Sequence, residues 1–237
     1  MNALILMSRV PIPGKTKTRL MDILSGKECA DLHVNFLRDL VSTFECLKEN
    51  IDIYMTYAPE NPIELIESII PDFISCFPQE GQDLGDRMYN AISKVFSLGY
   101  EKVILIGSDV PQLLGIDILA AFNILEGCDL VLGPTYDGGY YLVGMNKAYK
   151  RIFSIDKKWG AKSVLEATIE IANDINLSVG LANKYRDIDT SDDLFKFIDK
   201  YRDNNLVAPN TINFLKEWRE KDEIWINRND KGIYKYK

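Results

Sequence analysis

The sequence predicts an α/β fold in which a mostly parallel sheet is covered by helices on both faces. Segments with strand character alternate with segments of helical periodicity along most of the chain. Residues 3–7 and 102–107 are short, largely apolar runs, as expected for strands buried on both faces. Polar residues and glycines follow each of these runs directly, which is where open α/β sheets bind their ligands.

The predicted elements follow in chain order. After the first strand and its loop come a long amphipathic helix, a strand, a short helix, a strand and a helix, at residues 29–47, 51–57, 62–70, 73–77 and 83–96. The strand at 102–107, a helix near 116–125, the strand 130–132 and a further strand from residue 140 continue the alternation. A helix opened by Pro209 and a hairpin between residues 223 and 236 follow, and they could cover a sheet edge or pair with a second subunit.

Length, net charge and cysteine spacing limit the classes of protein to which this chain can belong. The 237 residues fit one large domain or two small ones, and a formal charge of -7 argues against general affinity for nucleic acid or anionic membranes. Four widely spaced cysteines predict free, buried thiols in a reducing compartment. Since we see neither a signal peptide nor a membrane-spanning run, we expect a soluble cytoplasmic protein.

The loop after the first strand has the composition of a phosphate-binding segment. Its glycine and prolines shape a turn, and its cations and backbone N–H groups suit polyanionic oxygens. The candidate nucleotide-binding residues here are Ser8, Arg9, Gly14, Lys15, Lys17 and Arg19. Arg9 stands where a P-loop needs its first glycine, so a P-loop is excluded. A solvated basic turn is the alternative.

Two later segments place carboxylates in loops that we expect at the same edge of the sheet. Ser108, a further candidate for nucleotide binding, and Asp109 come directly after a buried strand. The position of Asp109 suits a hard divalent cation such as Mg²⁺ or Mn²⁺ bridging a diphosphate. Asp189 could supply a second ligand. The alternative for both segments is helix capping, in which Ser and Asp are common.

A third segment predicts a substrate-binding loop. The paired glycines of Asp137-Gly138-Gly139-Tyr140 let a ligand approach the backbone, and a tyrosine stands at the mouth of the next strand. A glycine-rich turn is the alternative. Trp159 could close the acceptor side or be a packed core residue. His33, the single histidine, is expected at the surface or the core edge.

These segments carry a resemblance to a known family. Five motifs in order resemble small bacterial and archaeal GT-A-fold transferases that are described as glycosyltransferase-like and include members associated with arsenosugar biosynthesis. The motifs are RxPxPGxxKTRL (9–20), LGDRM (84–88), IGSDxP (106–111), GPxxDGGYYLxG (133–144) and DxDTxxDL (187–194). More distantly, the chain is similar to molybdenum-cofactor and 2-phospholactate guanylyltransferases.

The resemblance implies a three-layer Rossmann-like GT-A fold, known from nucleotide-diphospho-sugar transferases, with a mixed, mostly parallel sheet. It implies a transferase domain over residues 1–204 and an appendage over 205–237. It also implies a divalent metal, Mg or Mn, and a nucleotide or nucleotide-sugar donor, with a small-molecule acceptor.

The resemblance also assigns roles residue by residue. Lys17 and Arg19 would hold phosphates and act in catalysis with Asp109, which matches the metal aspartate of the fold. Asp189 matches a second metal aspartate. By the same likeness, Gln79 and Gly85 would lie near the base.

Three functions fit these expectations. The first, and the one we expect, is a metal-dependent glycosyltransferase that uses a nucleotide-sugar, which the usual description of the resembled family favours. The second is a nucleotidyltransferase that joins an NTP to a phosphorylated or anionic small molecule, which the cationic loop and the lack of an Asp-x-Asp pattern around Asp109 favour. The third is a nucleotide-binding module without catalysis. A homodimer stays open.

Overall fold

The computed structural model describes residues 1–154, 163–204 and 206–221. Its strands are β1 (Asn2–Arg9), β2 (Ile51–Ala58), β3 (Ile74–Pro78), β4 (Lys102–Gly107), β5 (Leu130–Pro134), β6 (Tyr140–Met145) and β7 (Val179–Leu181). Its helices are α1 (Gly26–Glu45), α2 (Glu64–Glu67), α3 (Leu84–Phe96), α4 (Gly115–Ile124), α5 (Val164–Asp174), α6 (Ser191–Tyr201) and α7 (Pro209–Lys221). Short 3-10 helices span Thr18–Leu20 and Lys150–Phe153.

The seven described strands form one mixed sheet in the order β3-β2-β1-β4-β6-β5-β7. Strand β1 lies between β2 and β4 and is parallel to both, and β3 and β7 are parallel to β2 and β5. Strand β6 runs antiparallel to β4 and β5. The predicted α/β class with a mixed, mostly parallel sheet is confirmed.

Two hydrophobic clusters cover the two faces of the sheet, which gives three layers. Leu4 and Leu6 of β1 pack with residues of α1 and α4, whereas Ala3 and Ile5 pack with residues of α3 and α5. Because successive side chains of a strand point to opposite faces, one apolar run supplies both clusters. The carboxyl ends of β1 and β4 therefore sit on a rigid, fully packed base.

Element boundaries differ from the prediction in a few places. Helix α1 begins at Gly26, three residues early, because Ser25 and Glu28 form a capping box. Helix α2 is only four residues long, since its chain tightens where Ile69 N–H donates to Ile66 O. The short strand β7, which has no fully buried residue, was not predicted.

Helix α7 confirms the helix predicted from Pro209 and packs on α1 and α6. The buried carboxylate of Asp39 on α1 accepts hydrogen bonds from the Asn210 and Thr211 N–H groups, both at 2.9 Å. This carboxylate caps the first turn of α7 from a neighbouring helix. The predicted hairpin at 223–236 lies outside the described residues, and the division at residue 204 stays a prediction.

The cysteines are all free, but the prediction that they are buried is wrong for two of them. Cys29 is buried in α1, Cys128 is half-buried, and Cys46 and Cys76 are exposed. Cys46 lies just past the end of α1 and Cys76 lies on edge strand β3, where one face of the chain meets solvent. None of the described helices combines the length and apolar character needed to cross a bilayer.

Candidate functional site

The site centres on the ammonium group of Lys17. Lys17 Nζ lies 2.7 Å from Asp109 Oδ1 and 3.2 Å from Asp189 Oδ1, and it donates to the carbonyl oxygen of Ile188 at 2.6 Å. Its side chain is 5% exposed, whereas the two carboxylates are 39% and 38% exposed. Three segments that are distant in sequence thus meet at one cation, at the carboxyl edge of β1 and β4.

Neither carboxylate is a helix N-cap, so the capping alternative does not account for them. Helix α4 begins after Leu114, well past Asp109, and the N-cap of α6 is Thr190, which forms a capping box with Asp193. The Ile188 N–H donates to the Asp109 carbonyl oxygen at 2.9 Å and joins the two segments. Both side chains are consequently available to bind a cation.

Electrostatics hold Asp109 in its ionised form. Burial alone would raise the pKa of Asp109. The charge of Lys17, the electrostatic effect of His33 and the hydrogen bond from Lys17 outweigh burial, so the pKa of Asp109 lies below its ordinary value. Asp187, two residues before Asp189, behaves in the opposite way. Burial, together with the neighbouring carboxylates of Asp137 and Asp189, raises the pKa of Asp187 to about 6. Asp187 was predicted only as part of the DxDTxxDL motif.

His33 is buried beneath the end of β1, so the prediction of a surface or core-edge position is wrong. Its Nε2 lies 3.0 Å from Ser8 Oγ and 3.2 Å from the Arg9 carbonyl oxygen. Burial lowers the pKa of His33 to about 4. The helical spacing from Cys29 to His33 and Leu37, all buried, was the signal that could have placed it.

The β1 loop presents three other cations at its surface. Arg9 and Lys15 are exposed, and Arg9 Nη1 lies 3.5 Å from the Lys15 carbonyl oxygen. Arg19 is 74% exposed and lies 3.7 Å from Asp189 Oδ2. Gly14, at φ 73°, donates its N–H to the Gly26 carbonyl oxygen at 3.2 Å and ties the loop to α1. The loop is therefore braced while its charges face solvent.

The residues expected near the base have structural contacts of their own. Gln79 Nε2 donates to the carbonyl oxygens of Ser8 and Thr56 at 2.9 and 3.2 Å, which links the ends of β1 and β2. A Cβ on Gly85 would lie 2.6 Å from the Phe153 carbonyl oxygen, so glycine permits this close approach. Ser108 is buried, with its Oγ 3.4 Å from Asp109 Oδ1.

The glycine pair lies in a tight turn between β5 and β6. Asp137 Oδ1 accepts hydrogen bonds from Gly139 N–H at 2.9 Å and from the Thr135 hydroxyl. Gly138 has φ 93°, and a Cβ there would lie 2.7 Å from Ser163 Cβ. The turn alternative thus describes this backbone, and substrate binding by these residues stays a prediction.

Two further residues, Tyr140 and Trp159, were predicted to bind substrate. Tyr140 packs against the core cluster on the α3 and α5 face, where burial raises its pKa. Trp159 lies outside the described residues.

The donor set fits a magnesium or manganese ion that is completed by substrate. Among the described residues no three His, Cys, Asp or Glu side chains converge on one metal position. Asp109 and Asp189, however, place two carboxylate oxygens around a single cationic atom. Mg²⁺ is commonly bound by one or two carboxylates together with substrate phosphates and water, so this pair suffices.

Comparison with known proteins adds a family and a fold. The profile of a family described as uncharacterized protein conserved in bacteria (DUF2064) matches residues 43–161. A crystal structure from Desulfovibrio desulfuricans G20, provisionally named a nucleotide-diphospho-sugar transferase, is similar with a TM-score of 0.83 and 29% identity, over 92% of this chain and 95% of that one. This likeness agrees with the predicted GT-A fold.

Two further proteins are similar to this chain at lower identity. The 2-phospho-L-lactate guanylyltransferase of Methanocaldococcus infernus is 24% identical over 148 residues, which are 62% of this chain and 62% of that protein. The 4-diphosphocytidyl-2C-methyl-D-erythritol synthase of Anaerococcus prevotii shares 13% identity and a TM-score of 0.56, over 84% of this chain and 96% of that one. The latter likeness concerns the fold alone.

Proposed function

We propose that this chain, a member of the DUF2064 family, transfers a nucleotidyl group from an NTP to an anionic small molecule. The observation that carries this proposal is the meeting of Lys17, Asp109 and Asp189 beneath a loop that exposes further cations. The likeness to a guanylyltransferase supports the same chemistry.

Charge balance favours a triphosphate over a nucleoside diphosphate sugar. An NTP carries about four negative charges and a nucleotide-sugar about two, and each must be neutralised as the substrate leaves water. Arg9, Lys15 and Arg19 are exposed on one loop, and a divalent ion between Asp109 and Asp189 would add two positive charges. With Lys17 added and the two carboxylates subtracted, about four positive charges remain, which match the larger anion.

In the proposed reaction an acceptor oxygen attacks the α-phosphorus of the NTP. The new phosphorus–oxygen bond forms as the bond to the β-phosphate bridging oxygen breaks, and pyrophosphate leaves with that electron pair. Arg9, Lys15 and Arg19 bind the departing phosphates. Gln79 and Gly85 border the position proposed for the base, on the β2 and β3 side of the same edge.

Lys17 has a positioning role in this scheme. Its ammonium holds the two carboxylates at one point and links them to the Ile188 carbonyl. Asp109 and Asp189 would hold a Mg²⁺ or Mn²⁺ ion, which neutralises phosphate charge and orients the triphosphate. With the triphosphate present, Lys17 would turn toward a phosphate oxygen. His33 supports the β1 end from below through Ser8 and the Arg9 carbonyl.

Glycosyl transfer is the second candidate. It is favoured by the 29% identical structure that is provisionally named a nucleotide-diphospho-sugar transferase. In that case an acceptor hydroxyl would attack the sugar carbon, and the same cations would hold a departing nucleoside diphosphate. The site residues are shared by both reactions, so the substrate is what separates them.

The test measures which nucleotides bind and whether their binding requires a divalent metal. Four NTPs and a set of NDP-sugars are titrated into the protein with and without Mg²⁺ or Mn²⁺, and the shift in melting temperature is recorded, since a ligand of the native state raises it. We expect stabilisation by one NTP that requires the metal and is reduced in Arg19→Gln. The matched control is Lys48→Gln, which removes a lysine distant in sequence from the loop.

Each result separates the candidates. Stabilisation by an NDP-sugar alone would replace nucleotidyl transfer with glycosyl transfer. Stabilisation that is indifferent to metal and unchanged in Asp109→Asn would leave a nucleotide-binding module without catalysis. No stabilisation by any of these ligands would overturn the proposal.

A further inference from the structure

A cavity of about 540 Å³ is lined by residues that are close in sequence to Asp109 and Asp189. Its walls come from Gln112 after β4, from Tyr136 just after β5, from the segment 183–186 and from α6. It was not predicted from the sequence, because its lining residues are spread over four segments. This volume is in the range that holds a small organic ligand.

The cavity adjoins the site through three short stretches of backbone. Gln112 follows Asp109 by three residues, and Tyr136 directly precedes Asp137. Arg186 directly precedes Asp187 and stands three residues before Asp189. A hydrogen bond of 2.6 Å from Gln112 Nε2 to the Arg186 carbonyl oxygen fastens two of these walls together. A ligand in the cavity would therefore lie beside the carboxylates.

Cations and aromatic rings dominate its lining. Four of the ten lining residues are cationic, namely Lys184, Arg186, Lys196 and Lys200, four are aromatic, and no acidic residue is among the ten. The whole chain carries a formal charge of -7, so this concentration of positive charge is local. It favours an anionic ligand with a ring or another flat apolar part.

The cations differ in what already holds them. Arg186 is fixed by Asp193 at 3.2 Å and by the Tyr136 ring at 4.7 Å. Lys184 and Lys200 form no ion pair within the described part of the chain, and they lie over the Tyr136 and Tyr201 rings. Two ammonium groups thus remain to bind an anion.

The buried side-chain oxygen of Gln112 has no hydrogen-bond donor in the described part of the chain. Gln112 is 3% exposed, and its Oε1 accepts no hydrogen bond in the described part of the chain. An unsatisfied buried carbonyl costs free energy, which a donor on a ligand would recover. Its Nε2 already donates to a carbonyl, so the free Oε1 would accept from an O–H or N–H group.

We infer that this cavity binds the acceptor, an organic anion with a flat apolar part whose charged group pairs with Lys184 and Lys200. The inference rests on the proposed function, since it supplies the second substrate of the same site. It assigns the nucleotide to the β1 loop and the acceptor to the β5 and α6 side, so that both can bind together.

The experiment uses phenyl phosphate as an anionic probe and phenol as its neutral match. Binding of each to the full-length protein is measured by calorimetry, with and without a saturating NTP and Mg²⁺. We expect phenyl phosphate to bind, phenol to bind at least about tenfold more weakly, and the double variant Lys184→Gln/Lys200→Gln to lose about tenfold in affinity for phenyl phosphate. Lys48→Gln, which removes a lysine that also lies over a ring, should leave the affinity unchanged.

Nucleotide binding is measured on the same variants to keep the two hypotheses apart. NTP-induced stabilisation that survives in the double variant while phenyl phosphate binding is lost supports the assignment. Competition between phenyl phosphate and the NTP, or equal binding by wild type and the double variant, overturns it and leaves the proposed function standing. Absence of NTP binding in the wild type would refute the proposed function by itself.

Discussion

The two halves of the sheet's carboxyl edge are built differently. Around β1 and β4, side chains from the loop at 17, the strand end at 109 and the segment at 189 converge on one buried ammonium group. Around β5 and β6, the side chain of Asp137 bonds to its own turn, and Gly138 packs on Ser163. The first half brings charged side chains from three segments together, and the turn of the second half contains polar groups that bond to one another.

This difference follows from the strand directions. Parallel strands β1 and β4 end at the same edge, so their following loops must meet there. Strand β6 is antiparallel to β5, so their connection is a tight turn whose polar groups bond to one another. Similar polar and glycine-rich motifs thus have different uses in the two halves.

The largest expected effect separates the two halves by their carboxylates. Asp109→Asn keeps the shape of the side chain but removes the charge that would hold the metal, so we expect turnover to fall on the order of 1,000-fold. Asp137→Asn should change turnover by less than about threefold, since its hydrogen bonds lie within the turn. Steady-state kinetics on both variants, with circular dichroism to verify folding, measures the contrast. A full-activity Asp109→Asn enzyme would remove Asp109 from the site.

His33 predicts a pH dependence of stability in the β1 half. Burial lowers its pKa from the ordinary 6.5 to about 4, so the unfolded chain binds a proton more readily between these values. The contribution of neutral His33 is complete above pH 6.5 and is lost as the pH falls toward 4, by about 3 kcal/mol. Urea unfolding of wild type and His33→Gln at several pH values tests this. Equal losses on acidification would contradict the prediction.

A third contrast lies within the β1 loop. Lys17 is buried among two carboxylates and a carbonyl, whereas Lys15 is exposed. Lys17→Met should lower the melting temperature and weaken NTP binding about tenfold or more, because charge-assisted hydrogen bonds are lost. Lys15→Met should leave the melting temperature unchanged and weaken binding only about threefold. Indistinguishable variants would mean that burial of Lys17 has no consequence for the site.

Much of the fold could be predicted from local pattern. The apolar runs of β1 and β4 and the helical periodicity of α1 and α3 carry strong signals, and each element was found. The meeting of Asp109 with the β1 loop was also predictable, because strand ends in parallel sheets share an edge. The place of Asp189 followed from the resemblance to the transferase family. The sequence did not predict which cation of the loop is buried, and in the structure it is Lys17.

The features that were not predicted depend on tertiary contacts. The spacing within α1 places His33 on the buried face of the helix, but its contacts with Ser8 and the Arg9 carbonyl follow from where α1 crosses the end of β1. Strand β7 is three residues long and pairs only with β5 in the described structure, so its pattern is too short to identify. The cavity near Tyr136 combines segments that are far apart in sequence, and only the folded chain brings them together.

The smallest expected effect compares two glycines, one in each half. Gly14 and Gly138 both have positive φ, 73° and 93°, so alanine strains the backbone at either position. A Cβ on Gly14 meets nothing within 4 Å, whereas one on Gly138 would lie 2.7 Å from Ser163 Cβ. We therefore expect Gly14→Ala to cost about 1 kcal/mol of unfolding free energy and Gly138→Ala about 2 to 3 kcal/mol. Denaturant unfolding measures both, and equal costs would mean that the β5–β6 turn yields to the added methyl group and is less tightly packed than its contacts indicate.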